Sequence, residues 1–368
     1  MMSMSRSASR DKNSPAPFRI EPLKNGAEDG SMHFEWAHQP RSALLIEKKG
    51  DKQARHYIVL AARYLFHNRH FSIFVENYVK EDLKNYAFLS SFENYEESMV
   101  DFVLSFGGDG TLLHIAKLFP RNCPPIVPFA MGSLGFLTPF LADDYKSIID
   151  DLIRGFFYVI SRTRILCSIQ KTNSDGNIEV TEIQAMNDVA FKPSKNGTVS
   201  AVDCSIDDEY FTTVYGDGLI VATSTGSTAY NLSANGVIIH PSVSTLVWTP
   251  ICAHALNAHP LVLPDSIELS LKIAKNARGN DPYTLAYDSS ETLVSKNDKV
   301  TIRISPYPVP TVCQKEPMTD YLNSISSVLK WNQPIHGSIS IEDEVSDPST
   351  INHFFVCVDG DFENQIAG

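Results

Sequence analysis

An α/β domain built on a parallel sheet, followed by a β-rich domain, is the architecture this sequence predicts. Three observations carry it. Apolar strand-like runs alternate with helically spaced segments as far as residue 156, the pattern then changes to short alternating runs between polar turns, and 368 residues are enough for two such domains. With 43% hydrophobic and 20% charged residues, the composition is that of an ordinary globular protein with a large core.

Residues 1–40 mix Ser, Arg, Pro, Asp and Gly without periodicity and read as a disordered extension. Arg6-Ser7-Ala8-Ser9-Arg10 resembles the start of a transit peptide, but the segment is short and soon acidic, so a cytoplasmic location is expected. The α/β domain is placed at 41–156. There Ser42 to Glu47 reads as a buried strand, Lys52 to Phe66 as a helix, and Phe71 to Val75 as a second strand. Phe102 to Phe106 and Pro125 to Ala130 are further strands, and Asp143 to Phe156 is an amphipathic helix. Repeated strand and helix units imply a ligand site at the strand C-terminal ends. The β-rich domain is placed at 157–318, with runs such as Ile165 to Ile169, Ile267 to Ile273 and Lys299 to Ile304 and one helical interruption near Gly226 to Asn235. A C-terminal helix at 319–332 carries Tyr321, Leu322, Ile325, Val328 and Leu329 on one face, a stripe expected to pack as core. The acidic tail, 333–368, suggests no function.

Charge and composition narrow the classes of function. A net charge of −12 argues against non-specific nucleic-acid binding, which needs clustered Lys and Arg, but leaves room for a nucleotide held by backbone and a few cations. Six scattered cysteines suggest neither a zinc site nor a disulfide framework and fit a reducing compartment. No apolar stretch approaches the roughly 20 residues of a membrane helix. Walker A, protein-kinase and Gly-x-Ser-x-Gly patterns are missing. His240 and His254, set in apolar segments, read as satisfied core or loop histidines rather than metal ligands.

Chemistry concentrates in four segments. Gly107-Gly108-Asp109-Gly110-Thr111 joins a buried-looking strand to a helix, so its glycines allow close approach of a ligand and the helix start offers free N–H groups to phosphate. A carboxylate among them would repel phosphate, so Asp109 must serve as base, metal contact or hydroxyl acceptor. Asp-Gly pairs at 175, 217 and 359 show that a plain turn is the competing reading. Gly132-Ser133-Leu134-Gly135-Phe136 would lie beside the first loop if their strands are neighbours. Asn187-Asp188 interrupts an apolar run with groups that can bond vicinal hydroxyls or an amide, an Asx turn being the alternative. Finally, Gly216 to Ser233 runs from a strand into a hydroxyl-rich loop and a small-residue helix, where Tyr230 can stack on a base.

In these motifs, with Thr249-Pro250-Ile251-Cys252 and Pro260 to Pro264, the chain resembles the NAD kinase family, and specifically its eukaryotic cytosolic branch. The first motif alone is shared with diacylglycerol and sphingosine kinases; the ordered set, spanning Pro40 to Trp331, is much more specific. The resemblance implies the fold of the NAD kinase and diacylglycerol kinase superfamily, with a Rossmann- or flavodoxin-like first domain. It also implies transfer of the ATP γ-phosphoryl group to the adenosine ribose 2′-hydroxyl of NAD, a divalent cation such as Mg²⁺ accompanying ATP, and a homo-oligomer, dimer or tetramer. A lipid kinase of the same superfamily and a non-catalytic NADP(H)-binding sensor are the alternatives. Asp109 matches the catalytic aspartate, and Gly107, Gly108, Gly110 and Thr111 match the ATP phosphate site. Contacts to NAD are implied for Asp109, Gly110, Phe136, Asn187, Asp188, Asp217, Thr228, Ala229, Tyr230, Ser233 and Asp288. Four positions depart from the family pattern: Ser224 and Ala253 replace prolines, His259 an arginine, and Ser289 a glycine. The loss of an arginine removes a bidentate contact that His259 cannot reproduce, and Ser289 is expected to restrict the loop at Asp288.

Overall fold

The computed structural model describes residues 18–22, 32–92, 99–155, 157–172, 177–195 and 197–331. Strands Ser42–Glu47, Ser72–Glu76, Leu89–Phe92, Phe102–Gly107 and Ile126–Ala130 pair in parallel. Their spatial order is 89–92, 72–76, 42–47, 102–107, 126–130. The order reverses between 42–47 and 102–107, so the crevice beyond the C-terminal ends of these two strands is the topological switch point of the sheet. Residues 102–107 are all buried, as expected for a strand covered on both faces.

Helices cover both faces. In α1 (Lys52–Arg69), Asp51 caps the first turn by accepting from the Gln53 and Ala54 amides, and Ala54, Ile58, Ala61, Ala62 and Leu65 form the buried stripe. After α2 (Asn77–Asp82) comes α3 (Asp109–Leu118), which starts at the glycine turn. Helix α4 (Tyr145–Arg154) ends at Gly155, whose φ of 79° suits glycine. One cluster packs α1 and α4 against Leu45, Leu104 and Val127; another packs α3, through Leu112 and Ile115, against Leu44, Ile46 and Val103.

Several strands join this sheet from outside the residues where the sequence places the α/β domain. Val309–Cys313 lies between Ile126–Ala130, parallel through Thr311 and Ile126, and Tyr158–Arg162, antiparallel. Both Val309–Cys313 and Tyr158–Arg162 fall in the segment read as the β-rich domain. Beyond them, Met32–Trp36 and Phe18–Pro22 continue the sheet as antiparallel strands. The extension expected to be disordered therefore contributes two strands. A two-residue period shows that a segment can be a strand, but not which sheet supplies its partner. The tail 333–368 lies outside the described residues.

The β-rich region is a sandwich of two six-stranded antiparallel sheets. Their inner faces share a core of Cys167, Val202, Leu271 and Ile302 from one sheet and Phe191, Val221, Trp248 and Leu285 from the other. The outer face of the second sheet, Ala190, Ile220, Ala222 and Val247, packs under Ala234 and Ile239. The covering segment contains a 3₁₀ turn (Thr225–Thr228) and the single turn α5 (Tyr230–Ser233). Helix α6 (Pro317–Leu329) buries Ile325, but Leu322 and Val328 are exposed, so its apolar stripe is only partly core. No described helix is long and apolar enough to cross a membrane.

Candidate active site

The glycine turn sits at the switch point of the sheet, where Lys48 N–H donates to Phe106 O (2.8 Å) and ties the two central strand ends together. Its glycines have different duties. A methyl on Gly107 would meet Thr111 Oγ1 at 2.1 Å, so this position must be bare for Thr111 to pack beneath the turn, whereas methyls on Gly108 and Gly110 would meet nothing within 4 Å. Gly108 and Gly110 therefore line open space at the start of α3, where the first-turn N–H groups favour an anion. Lys48, exposed beside Gly107, is a cation the sequence did not single out; its signal lies in the parallel pairing.

Asp109 begins α3 and is held by the second glycine loop. The Leu137 amide donates to its Oδ1 (3.1 Å), and the Phe136 amide and Thr138 hydroxyl also reach its carboxylate. A methyl on Gly135 would lie 2.4 Å from Asp109 Oδ1, which explains the glycine there. The two glycine loops do adjoin. Burial pushes the Asp109 carboxyl above its ordinary value, and the Leu137 amide and the Arg162 guanidinium act against that shift. Burial thus makes this carboxylate a better proton acceptor than an exposed one.

Asn187 and Asp188 are fixed from both sides. Asn187 O accepts from Thr223 N–H (2.9 Å), Thr223 Oγ1 donates to Met186 O (2.6 Å), and Gly226 N–H donates to Thr223 Oγ1 (3.0 Å). A methyl on Gly226 would meet Asn187 O at 2.0 Å, so the hydroxyl-rich segment lies directly on the Asn-Asp pair. These bonds use the Asn187 backbone and leave its half-buried carboxamide without a partner among the described residues. Asp188 is 8% exposed and accepts from the Tyr230 amide; burial and the neighbouring Asp288 push its carboxyl up to about 7.

Asp288 works through the backbone. Its Oδ2 accepts from Met186 N–H and its Oδ1 from Asn187 N–H, both at 2.8 Å, so it shapes the Asn187 loop. It also takes the left-handed conformation of its two-residue hairpin (φ 44°), which Ser289 does not. The expected strain at Ser289 is therefore displaced to Asp288, whose two accepted bonds compensate it.

A small cavity beside Asp109 is lined by Phe136, Leu137, Arg162, Thr225, Thr228 and Tyr321, among others. It gathers Phe136 and Thr228, with Ala229 following Thr228 in the chain. Tyr321 comes from the α6 stripe read as core. Tyr230 is exposed, with Lys192 Nζ 5.1 Å from its ring centroid. Asp217 and Ser233 are exposed and do not line this cavity; the Asp217 carboxylate lies beside the Cys252 thiol. His259 is also exposed. His240 packs on Tyr321 and bonds Ser242 through Nδ1.

Comparison with known proteins places this constellation. Residues 43–157 match the profile of the ATP-NAD kinase N-terminal domain, and residues 186–313 that of the ATP-NAD kinase C-terminal domain. The chain belongs to the NAD kinase family. Among its relatives, the probable NAD kinase 1 of Oryza sativa subsp. japonica is 34% identical over 81% of this chain and 58% of the rice protein. An uncharacterized kinase of Schizosaccharomyces pombe is 34% identical over 79% of this chain and 80% of its own length. The crystal structure of yeast NADH kinase complexed with NADH superposes with a TM-score of 0.77 at 25% identity, covering 83% of this chain and 92% of that one. The chain thus spans less than two thirds of the rice relative's length.

Proposed function

We propose that this chain is an NAD kinase that transfers the γ-phosphoryl group of ATP to the adenosine ribose 2′-hydroxyl of NAD or NADH. The observation that carries the reading is Asp109, a half-buried carboxylate at the start of α3, held by Leu137 and set between Gly108 and Gly110, which border open space. In the reaction, Asp109 accepts the proton of the 2′-hydroxyl as its oxygen bonds to the γ-phosphorus, and the bond from that phosphorus to the β,γ-bridging oxygen breaks to release ADP. Positioning and charge do most of this work, so one base suffices. Gly107, Gly108, Gly110 and Thr111 hold ATP phosphates, while Phe136, Asn187, Asp188, Thr228, Ala229 and Tyr230 hold NAD. Asp217 and Ser233 would meet a more exposed part of the dinucleotide, and Asp288 supports Asn187 from behind.

No group of three or more His, Cys, Asp or Glu gathers among the described residues, which suits a Mg²⁺ carried by the ATP phosphates and water. When bound it would neutralise charge on the triphosphate. A cytoplasmic setting accords with the free cysteines among the described residues, Cys123, Cys167, Cys204, Cys252 and Cys313. Homo-oligomerisation is supported by exposed apolar side chains such as Tyr210, Phe211 and Leu256.

A coupled assay tests the reading. Purified protein with MgATP and NAD, or NADH, should yield NADP(H), and Asp109→Asn should lower turnover by about 10² to 10⁴-fold with an unchanged unfolding midpoint. Product whose added phosphate is not a 2′-monoester, or no product with either dinucleotide, contradicts it.

A further inference from the structure

Arg162 ends the strand Tyr158–Arg162 and is 7% exposed, yet it makes no ion pair among the described residues. Its Nε donates to Thr311 Oγ1 (2.8 Å) and its Nη1 to Thr225 Oγ1 (3.4 Å), both neutral acceptors. A buried cation without an anion costs several kcal/mol, so such a group persists where something nearby carries negative charge.

The groups around it leave one candidate. Burial pushes the Cys313 thiol up to about 12, so it is neutral. The Tyr321 phenol, across the cavity, is likewise pushed up by burial. Asp320, tied to the Gln314 and Lys315 amides, acts on the Cys313 thiol and not on Arg162. Lys48, on the far side of the turn beside Gly107, adds positive charge. That leaves Asp109, which bonds Leu137, a residue lining the same cavity as Arg162.

We propose that Arg162 is a positioning residue of this site: its guanidinium, buried among neutral partners on the cavity wall, keeps the Asp109 carboxylate charged and ready to take a proton. The inference rests on the kinase reading for the role of Asp109, but not for the electrostatic pairing. The pairing is reciprocal, since Asp109 raises the proton affinity of Arg162 against burial while Arg162 lowers that of Asp109. It is a longer-range effect than a contact, and charge rather than shape should decide it.

The experiment compares pH profiles of kcat and KM for the wild type, Arg162→Gln and Arg162→Lys. Gln keeps a donor for Thr311 without the charge, and Lys keeps the charge without the fork. Removing the charge raises the Asp109 proton affinity, so the acidic limb of kcat should move to higher pH by about one unit. Turnover on the limb should then fall about tenfold and recover above it. KM for ATP and NAD should change little, and Lys should restore most of the profile. An equal loss at every pH in a folded Gln variant would mean a merely structural role and overturns the proposal. A raised KM for ATP with an unmoved limb would mean that the guanidinium meets a nucleotide phosphate, and overturns it too. Should Arg162→Gln not fold, Thr311→Val, which removes a hydrogen bond but keeps the charge, is expected to leave the limb in place; a limb that moves by a full unit would show that packing rather than charge sets it, and overturns the proposal. If the wild type makes no NADP, the kinase reading fails first. The pairing is then read by ¹³C NMR titration of the Asp109 carboxyl, assigned with Asp109→Asn, and an unchanged midpoint in the Arg162 variants overturns it.

Discussion

The glycine turn and the hydroxyl-rich segment are built in opposite ways. At 107–111 the backbone does the work: a buried parallel strand, bare Cα atoms and a helix start place one carboxylate at the switch point of the sheet. At 223–233 side chains do it, because Thr223, Ser227 and Asn231 spend their polar groups on neighbouring carbonyls and amides to hold the segment over the outer face of a sheet. Asn231, fully buried, donates to Ser227 O and Val237 O and accepts from Thr249 Oγ1. Hydroxyl density here is therefore partly structural, and Thr228, which lines the cavity, is better placed for a ligand than Ser227. A turn that depends on backbone tolerates change around it; a segment that depends on a hydrogen-bond network does not.

The largest effect is expected from the clamp on the far end of the helix that follows the glycine turn. Arg164, 1% exposed, donates to Ala116 O, Phe119 O and Arg121 O at the C-terminal end of α3, whose other end carries Asp109. Arg164→Met should cost about 4 kcal/mol in urea unfolding, because several buried carbonyls lose their donor at once. A loss below about 1 kcal/mol would show that the C-terminal end of α3 is held without it.

Next comes Asp188. Its carboxyl titrates near 7 in the folded chain, well above the ordinary value of 3.8, so it is protonated in both folded and unfolded states at low pH. As pH rises from about 4 to 7 the unfolded chain ionises first, and the protein without nucleotide loses stability through this group. Asp188→Asn should therefore be more stable than the wild type at pH 8 by about 3 kcal/mol, with little gain at pH 4. Equal gains at both pH values would show that the carboxylate carries no burial penalty.

A smaller effect is expected from Gly226→Ala, where the added methyl presses on Asn187 O. About 2 kcal/mol of stability should go, and NAD affinity should fall more than ATP affinity in calorimetry. Equal losses for both nucleotides would dissolve the assignment of this segment to NAD. The smallest is His259→Arg: His259 is exposed and does not line the cavity, so turnover should stay within about threefold. A tenfold gain would restore importance to this departure from the family pattern.

What could be read from sequence follows the same division. The glycine turn was legible because strand, turn and helix are consecutive, so local periodicity shows all three. Asn187-Asp188 and the 216–233 segment were legible as motifs, but not their stacking, which depends on the pairing of Asp188–Pro193 with Gly218–Thr223. Arg162, Lys48 and Tyr321 escaped because each reaches the site through a strand or helix that nothing local assigns to it. The backbone bonds of Asp288 were not legible, since only the fold brings both its oxygens onto the Met186 and Asn187 amides. Asp217 and Ser233 rested on motif matching alone, and the cavity does not include them.

The central claim is that Asp109 performs chemistry while the 187–230 region binds NAD. Its most direct test is Asp109→Asn measured twice, by NAD titration calorimetry and by single-turnover NADP formation from MgATP. The carboxamide can still accept from Leu137 N–H, so the loop should hold. NAD affinity should stay within about threefold of the wild type and the transfer rate should fall by about 10²-fold or more. Transfer that survives, or affinity that collapses along with it, would contradict the account.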